Sequence, residues 1–163
     1  MLPEYRTLLE QAVNRKKENK AFLERLKKSR PADLDQTTNR LHDEAFEHID
    51  CLQCGNCCRT TGPLLLSKDV DRLAGHFRIR PAEFTERHLR IDEDGDYVFR
   101  SMPCPFLGGD NYCSVYENRP NACREFPHTQ QRDIREKLGI TYHNTMVCPA
   151  VAEVLERLKA HSR

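Results

Sequence analysis

Four cysteines, Cys51, Cys54, Cys57 and Cys58, fall within the eight residues CLQCGNCC, and no other feature of the chain restricts its fold as strongly. Sulfur is a soft donor, and a bound metal keeps a thiol deprotonated at neutral pH, so thiolates suit zinc, copper(I) and iron-sulfur clusters. Two cysteines separated by two residues can turn both sulfurs toward one ion, which pairs Cys51 with Cys54 and Cys54 with Cys57. Adjacent side chains diverge, by about 100° around a helix, so Cys57 and Cys58 are expected to point in different directions. The cluster should therefore feed two neighbouring metal sites, or one polynuclear site. Cys104, Cys113, Cys123 and Cys148 are the remaining cysteines, and eight thiolates make two four-cysteine sites.

Ligation is favoured over disulfides by the expected compartment. The N-terminal stretch MLPEYRTLLEQ lacks the basic start and apolar run of a secretory signal, and the longest aliphatic run is Leu64-Leu65-Leu66. These features predict a cytoplasmic protein away from membranes, where thiols are kept reduced. Composition points the same way. With 163 residues, 38% hydrophobic, 7% aromatic and without tryptophan, the chain has little apolar stock, and metal ligation would supplement its core. A net charge of +1 argues against nucleic acid as a partner. Residues 1–30 hold nine Lys/Arg against four Glu, and Glu10, Glu18 and Glu24 interrupt the basic residues as on a solvated helix face. That helix is the candidate surface for an unknown protein partner.

Periodicity predicts a long first helix carrying Tyr5, Leu8, Leu9, Ala12, Val13, Phe22, Leu23 and Leu26, interrupted at Arg30-Pro31. A second helix, capped by Asp33, carries Leu34, Leu41, Ala45, Phe46 and Ile49. Ser67 is expected to cap a short helix ended by Gly75, and Pro81 to start another through Leu89. A turn at Gly95 should lead into a strand from Tyr97 to Arg100. A second turn at Gly108–Asn111 should set Cys104 and Cys113 across a small hairpin, and Pro149 should start a last helix burying Val151, Val154, Leu155 and Leu158. The predicted fold is mainly α with a small β-hairpin: an irregular, metal-nucleated cysteine-rich domain over 51–163, preceded by an N-terminal helical hairpin over 1–50.

The metal is less tightly specified than the ligands. A zinc ribbon repeats its C-x2-C pair in both halves, whereas the later cysteines here are spaced by nine, ten and twenty-five residues. C-x2-C-x2-C matches the start of a bacterial ferredoxin run, and Cys104 and Cys148 each precede proline as its last ligand does, yet the C-x3-C-P continuation is missing. Zinc and iron both remain open, an iron-sulfur cluster being one form of the latter. His48, His128 and His143 lie near cysteines but are read as solvent or capping residues, because the thiols suffice. DEDGD at 92–96 lacks EF-hand spacing and reads as a turn. No Ser/His/Asp set or P-loop is present, and catalytic activity is left undecided. Arg59, Arg119 and Arg124 are placed to balance thiolate charge.

The succession CLQCGNCC, CPFL, CSVYENRPNACREFP and CP resembles the CxxCxxCC family of YkgJ-type cysteine-cluster proteins, zinc- or iron-chelating domains. The resemblance spans about residues 51 to 149 and takes in every cysteine in order. It implies that Cys51, Cys54, Cys57, Cys58, Cys104, Cys113, Cys123 and Cys148 are metal ligands, and makes Arg119 and Arg124 motif positions of unassigned role. The expected function is that of a cytoplasmic metal-binding protein holding zinc or iron. The alternative is an iron-sulfur or nonheme-iron redox enzyme working with a partner.

Overall fold

A computed structural model describes residues 1–161. The described residues form ten α-helices, one 3-10 turn and a three-stranded antiparallel sheet, so the fold is mainly α with a small β element, as expected. None of these helices is long and apolar enough to cross a membrane. The chain divides into two compact units, one formed by Met1–Cys54 together with the chain from Pro127 onward, the other by Gly55–Phe126.

In the first unit, α1 (Pro3–Asn14) and α2 (Lys16–Ser29) replace the single long helix predicted from periodicity. The break is confined to Arg15, whose backbone leaves the helical region at φ −97°, ψ 17°. Nothing in its residue type announces a break. The second predicted helix is α3 (Leu34–Phe46); Asp33 stands at its N-cap position, but its carboxylate accepts from the Thr37 hydroxyl at 3.3 Å instead of from the helix backbone. Helices α1 and α3 lie against α10 (Pro149–His161), and α2 and α3 against α9 (Ile134–Asn144), so the N-terminal helices find partners near the far end of the chain. The predicted apolar face of α10 is core: Val151, Val154, Leu155 and Leu158 are all buried.

Two polar devices tie these helices together. Lys159 is buried, and its ammonium donates to Glu18 and Glu156 at 2.8 Å and to the buried Asn19 amide oxygen at 2.5 Å, which offsets the cost of removing a charge from water. Asp35 reaches from α3 to the start of α9, where its two oxygens accept from the Asp133 and Ile134 backbone N–H groups at 2.9 and 3.0 Å. Such a cap satisfies helix-end donors that have no partner within the helix. Asp35→Ala is expected to lower the midpoint of urea unfolding by an amount equivalent to about 1–2 kcal/mol.

In the second unit, α6 (Ser67–Phe77) and α7 (Pro81–His88) pack against each other beside the sheet. The sheet has the order β1 (Leu64–Leu65), β3 (Tyr97–Phe99), β2 (Leu89–Ile91), with Leu64 opposite Val98 and Leu89 opposite Phe99. The core is Leu65, Val70, Leu73, Ala74, Phe84, Leu89, Phe99, Phe106 and Val115, with Cys104 and Cys113 packed at its edge. Ser67 lies inside α6 and is not its cap. The Asp69 carboxylate instead turns back to the Leu66 N–H at 3.0 Å, and the helix runs past Gly75 to end at Arg78, which adopts a left-handed conformation. Leu89, expected as the end of α7, starts β2, because its backbone is extended and pairs with Phe99.

Candidate metal centre

The cysteine cluster consists of two short helical turns, α4 (Cys51–Cys54) and α5 (Asn56–Thr60), joined at Gly55. Gly55 has φ +59°, a left-handed conformation that favours glycine, and a Cβ there would lie 2.7 Å from the Asn111 side-chain oxygen, so any larger residue would also displace that side chain. The division between compact units falls at the same residue. Cys51 and Cys54 belong to the first unit with Cys148, while Cys57 and Cys58 belong to the second with Cys104, Cys113 and Cys123.

Within the first unit, the buried Tyr5 hydroxyl donates to the His48 carbonyl at 3.2 Å and accepts from the Asp50 N–H at 2.9 Å, fixing the entry to α4. Asp50 then accepts from the Leu52 N–H at 2.8 Å. The Cys148 thiol sits at the start of α10. Burial, joined by the charges of Cys51 and Cys54, pushes it up to about 12 against the backbone N–H groups of Val151 and Ala150 that favour its thiolate. His48 pairs with Glu153 at 2.9 Å and is read as a solvent-side residue, as its position in the sequence suggested.

The second unit gathers five cysteines from four separate segments. The Cys104 N–H donates to the Cys58 carbonyl at 2.8 Å, joining the cluster to the later segment through the backbone. The turn after Cys104 is tighter than the predicted hairpin. Leu107, rather than Cys104, pairs with Cys113, because the chain first bends through a Leu107 N–H to Cys104 carbonyl bond of 3.0 Å. Cys123 lies in α8 (Asn121–Glu125), which follows a 3-10 turn at Tyr116–Asn118. Burial raises the Cys104 and Cys113 thiols, and the charge of Cys58 adds to both. Cys123 is pushed up to about 12 by burial and then by Cys58, Cys104 and Cys113 together. Cys58 goes the other way, to about 7, because Cys57 hydrogen-bonds its sulfur and Arg59 lies nearby.

The two adjacent cysteines do not diverge as expected. Their sulfurs are 3.9 Å apart, since rotation about the side chains overcomes the angle between neighbouring Cα–Cβ bonds. That separation is close to the distance of about 3.8 Å between two sulfurs on one tetrahedral zinc with bonds of about 2.3 Å. Among the described residues, no three His, Cys, Asp or Glu side chains are drawn together as a closed metal site. Within each unit the thiols act on one another by charge: Cys51 and Cys54 on Cys148 in the first, and Cys58, Cys104 and Cys113 on Cys123 in the second. The donors fit zinc or iron by their chemistry: they are soft, backbone N–H groups of Phe106, Leu107 and Val115 face the Cys104 and Cys113 sulfurs, and their mutual repulsion as thiolates calls for a cation.

The arginines singled out beside the cysteines take different partners. Arg59 donates to the Asn111 side chain, and its charge favours the Cys58 thiolate. Arg119 favours the thiolates of Cys113 and Cys123. Arg124 turns to main-chain carbonyls. Asp69 and Arg72, which also hold this segment, were not marked by the sequence, where an acid and a base three residues apart on a helix look like a surface pair.

A pH dependence follows for the metal-free chain. Cys148 ionises near 9 when unfolded and near 12 when folded, so the folded form holds its proton more tightly. Its contribution to stability is fully present below about pH 9 and is lost as pH rises toward about 12. Thermal melts of metal-free, reduced protein should show a lower midpoint at pH 10 than at pH 7.5. Metal-loaded protein should show a smaller difference, because bound thiolates no longer take up protons.

No curated protein and no solved structure gives a significant match to the chain. Residues 50–149, well over half of the chain and including every cysteine, match the CxxCxxCC family, described as a "putative zinc- or iron-chelating domain", and the chain belongs to that family.

Proposed function

We propose that this chain is a cytoplasmic metal-binding protein that holds zinc or iron through Cys51, Cys54, Cys57, Cys58, Cys104, Cys113, Cys123 and Cys148. The observation that supports this reading most directly is the placing of Cys58, Cys104, Cys113 and Cys123, distant in sequence, within one compact unit, where the charges of Cys58, Cys104 and Cys113 act on Cys123. Cys51, Cys54 and Cys148 form the corresponding group in the other unit. A bound cation would keep these thiols ionised and cross-link the segments that carry them. The basic, solvent-facing sides of α1 and α2 are the proposed surface for a protein partner.

Protein purified without oxygen should contain zinc or iron by elemental analysis, and Cys113→Ser combined with Cys123→Ser should lower the metal content. A brown preparation that bleaches in air would assign an iron-sulfur cluster and favour the redox-enzyme alternative; a colourless one with stoichiometric zinc would favour a structural module. Absence of metal from freshly purified anaerobic protein would count against the proposal. So would an unchanged content in the double variant.

A further inference from the structure

We propose that Asp69, Arg72, Arg119 and Arg124 are positioning residues for the metal-binding thiols of the second unit, acting by lacing the loop between Cys113 and Cys123. The inference rests on the metal-binding reading above and gives a role to the two motif arginines. Four successive backbone carbonyls in this loop accept from guanidinium groups. Arg119 Nη1 donates to the Tyr116 carbonyl at 2.7 Å, and Arg124 Nη2 to that of Glu117. Arg72 Nε donates to the Asn118 carbonyl at 3.3 Å, while Arg72 Nη2 and Arg124 Nε reach the Arg119 carbonyl at 2.9 and 3.1 Å. Three arginines thus hold a stretch with only one 3-10 turn of regular structure.

The lacing is anchored at both ends. Asp69 is 2% exposed, and its carboxylate accepts from Arg72 at 2.6 Å, from the Leu66 N–H at 3.0 Å and from the Asn121 N–H at 3.0 Å. One buried carboxylate therefore closes the start of α6 and the start of α8, the segment that carries Cys123. The Arg119 guanidinium lies 3.9 Å from the centroid of the Tyr116 ring, close to Cys113 in sequence. A lysine cannot reproduce this arrangement. Its ammonium is a point charge, whereas the planar guanidinium presents several N–H groups in a fixed fork. The loop would otherwise have to be ordered by the metal itself, at a cost to affinity. Groups that orient ligands from behind commonly change metal affinity by about 10- to 100-fold when altered.

The test uses Arg72→Lys and Arg124→Lys, which keep the charge and remove the fork. Arg124 is exposed, so its variant keeps the test valid if Arg72→Lys or Asp69→Asn fails to fold. Full-length anaerobic protein is titrated with Zn(II) against a chromophoric chelator and with Co(II) by absorption spectroscopy, at a temperature where circular dichroism shows it folded. Each lysine variant should bind Zn(II) about 10- to 100-fold more weakly, with less thiolate-to-cobalt charge-transfer absorption per bound cobalt. A merely structural role would leave the absorption per bound cobalt unchanged in the folded fraction. Arg87→Lys, altering an exposed ion pair with Glu83, should behave as wild type. Wild-type Zn(II) affinity and cobalt spectrum in both lysine variants would overturn the positioning role alone. Failure of the wild-type chain to bind either metal would overturn the metal-binding reading and this inference with it.

Discussion

Chelating the bound metal is expected to abolish the cooperative unfolding of the Gly55–Phe126 unit and to release the segment from Ser101 to Phe126 first. That segment carries Cys104, Cys113 and Cys123, yet its regular structure amounts to one isolated bridge, a 3-10 turn and the five residues of α8. Only Phe106 and Val115 anchor it in the apolar core. Ordering a backbone costs about 1–2 kcal/mol per residue, and two apolar anchors with the arginine and Asp69 bonds to residues 116–121 offset only part of that. Metal binding by zinc-dependent peptides contributes about 10–16 kcal/mol, comparable to the whole stability of an ordinary domain. Amide exchange after anaerobic chelation should show protection lost throughout 101–126. A chelated protein that keeps its melting midpoint and its protection pattern would remove the metal from the folding account.

The second large effect is expected from Phe84→Ala. Phe84 is fully buried, and its ring lies 6.1 Å from Phe77, 6.3 Å from Phe106 and 4.8 Å from His88 between ring centres. Removing a buried phenylalanine costs about 3–5 kcal/mol, from lost transfer free energy and from the cavity left behind. Phe106 is the link to the cysteines. It lies two residues beyond Cys104, and its carbonyl accepts from the Ser114 N–H at 2.9 Å beside Cys113. The substitution should therefore lower metal affinity as well as stability. Chemical denaturation of the metal-loaded variant, together with a Zn(II) competition titration, checks both effects; a stability loss under 1 kcal/mol would contradict the proposed packing.

The candidate ligands could be named from the sequence because the chemistry of a thiol is local to its residue type. Eight cysteines and their spacings point to soft cations whatever the chain does between them. The face of α10 was equally legible, since Val151, Val154, Leu155 and Leu158 repeat at helical spacing. The kink at Arg15 was not, because arginine is an ordinary helix residue. Strand β1 is two residues long and offers no alternation to detect, and Leu89 fits a helix and a strand equally well until Phe99 is seen opposite it. Asp69 and Asp35 act on backbone groups far away in sequence, so neither could be recognised as a cap from its neighbours. The directions of Cys57 and Cys58 were misjudged for a related reason. A rule about Cα–Cβ vectors does not determine where a rotatable sulfur ends.

X-ray absorption at the edge of whichever metal the anaerobic protein contains tests ligation by cysteine most directly. For zinc, sulfur neighbours at about 2.3 Å should dominate the first shell. A shell made mainly of nitrogen or oxygen at about 2.0–2.2 Å would contradict the thiolate site.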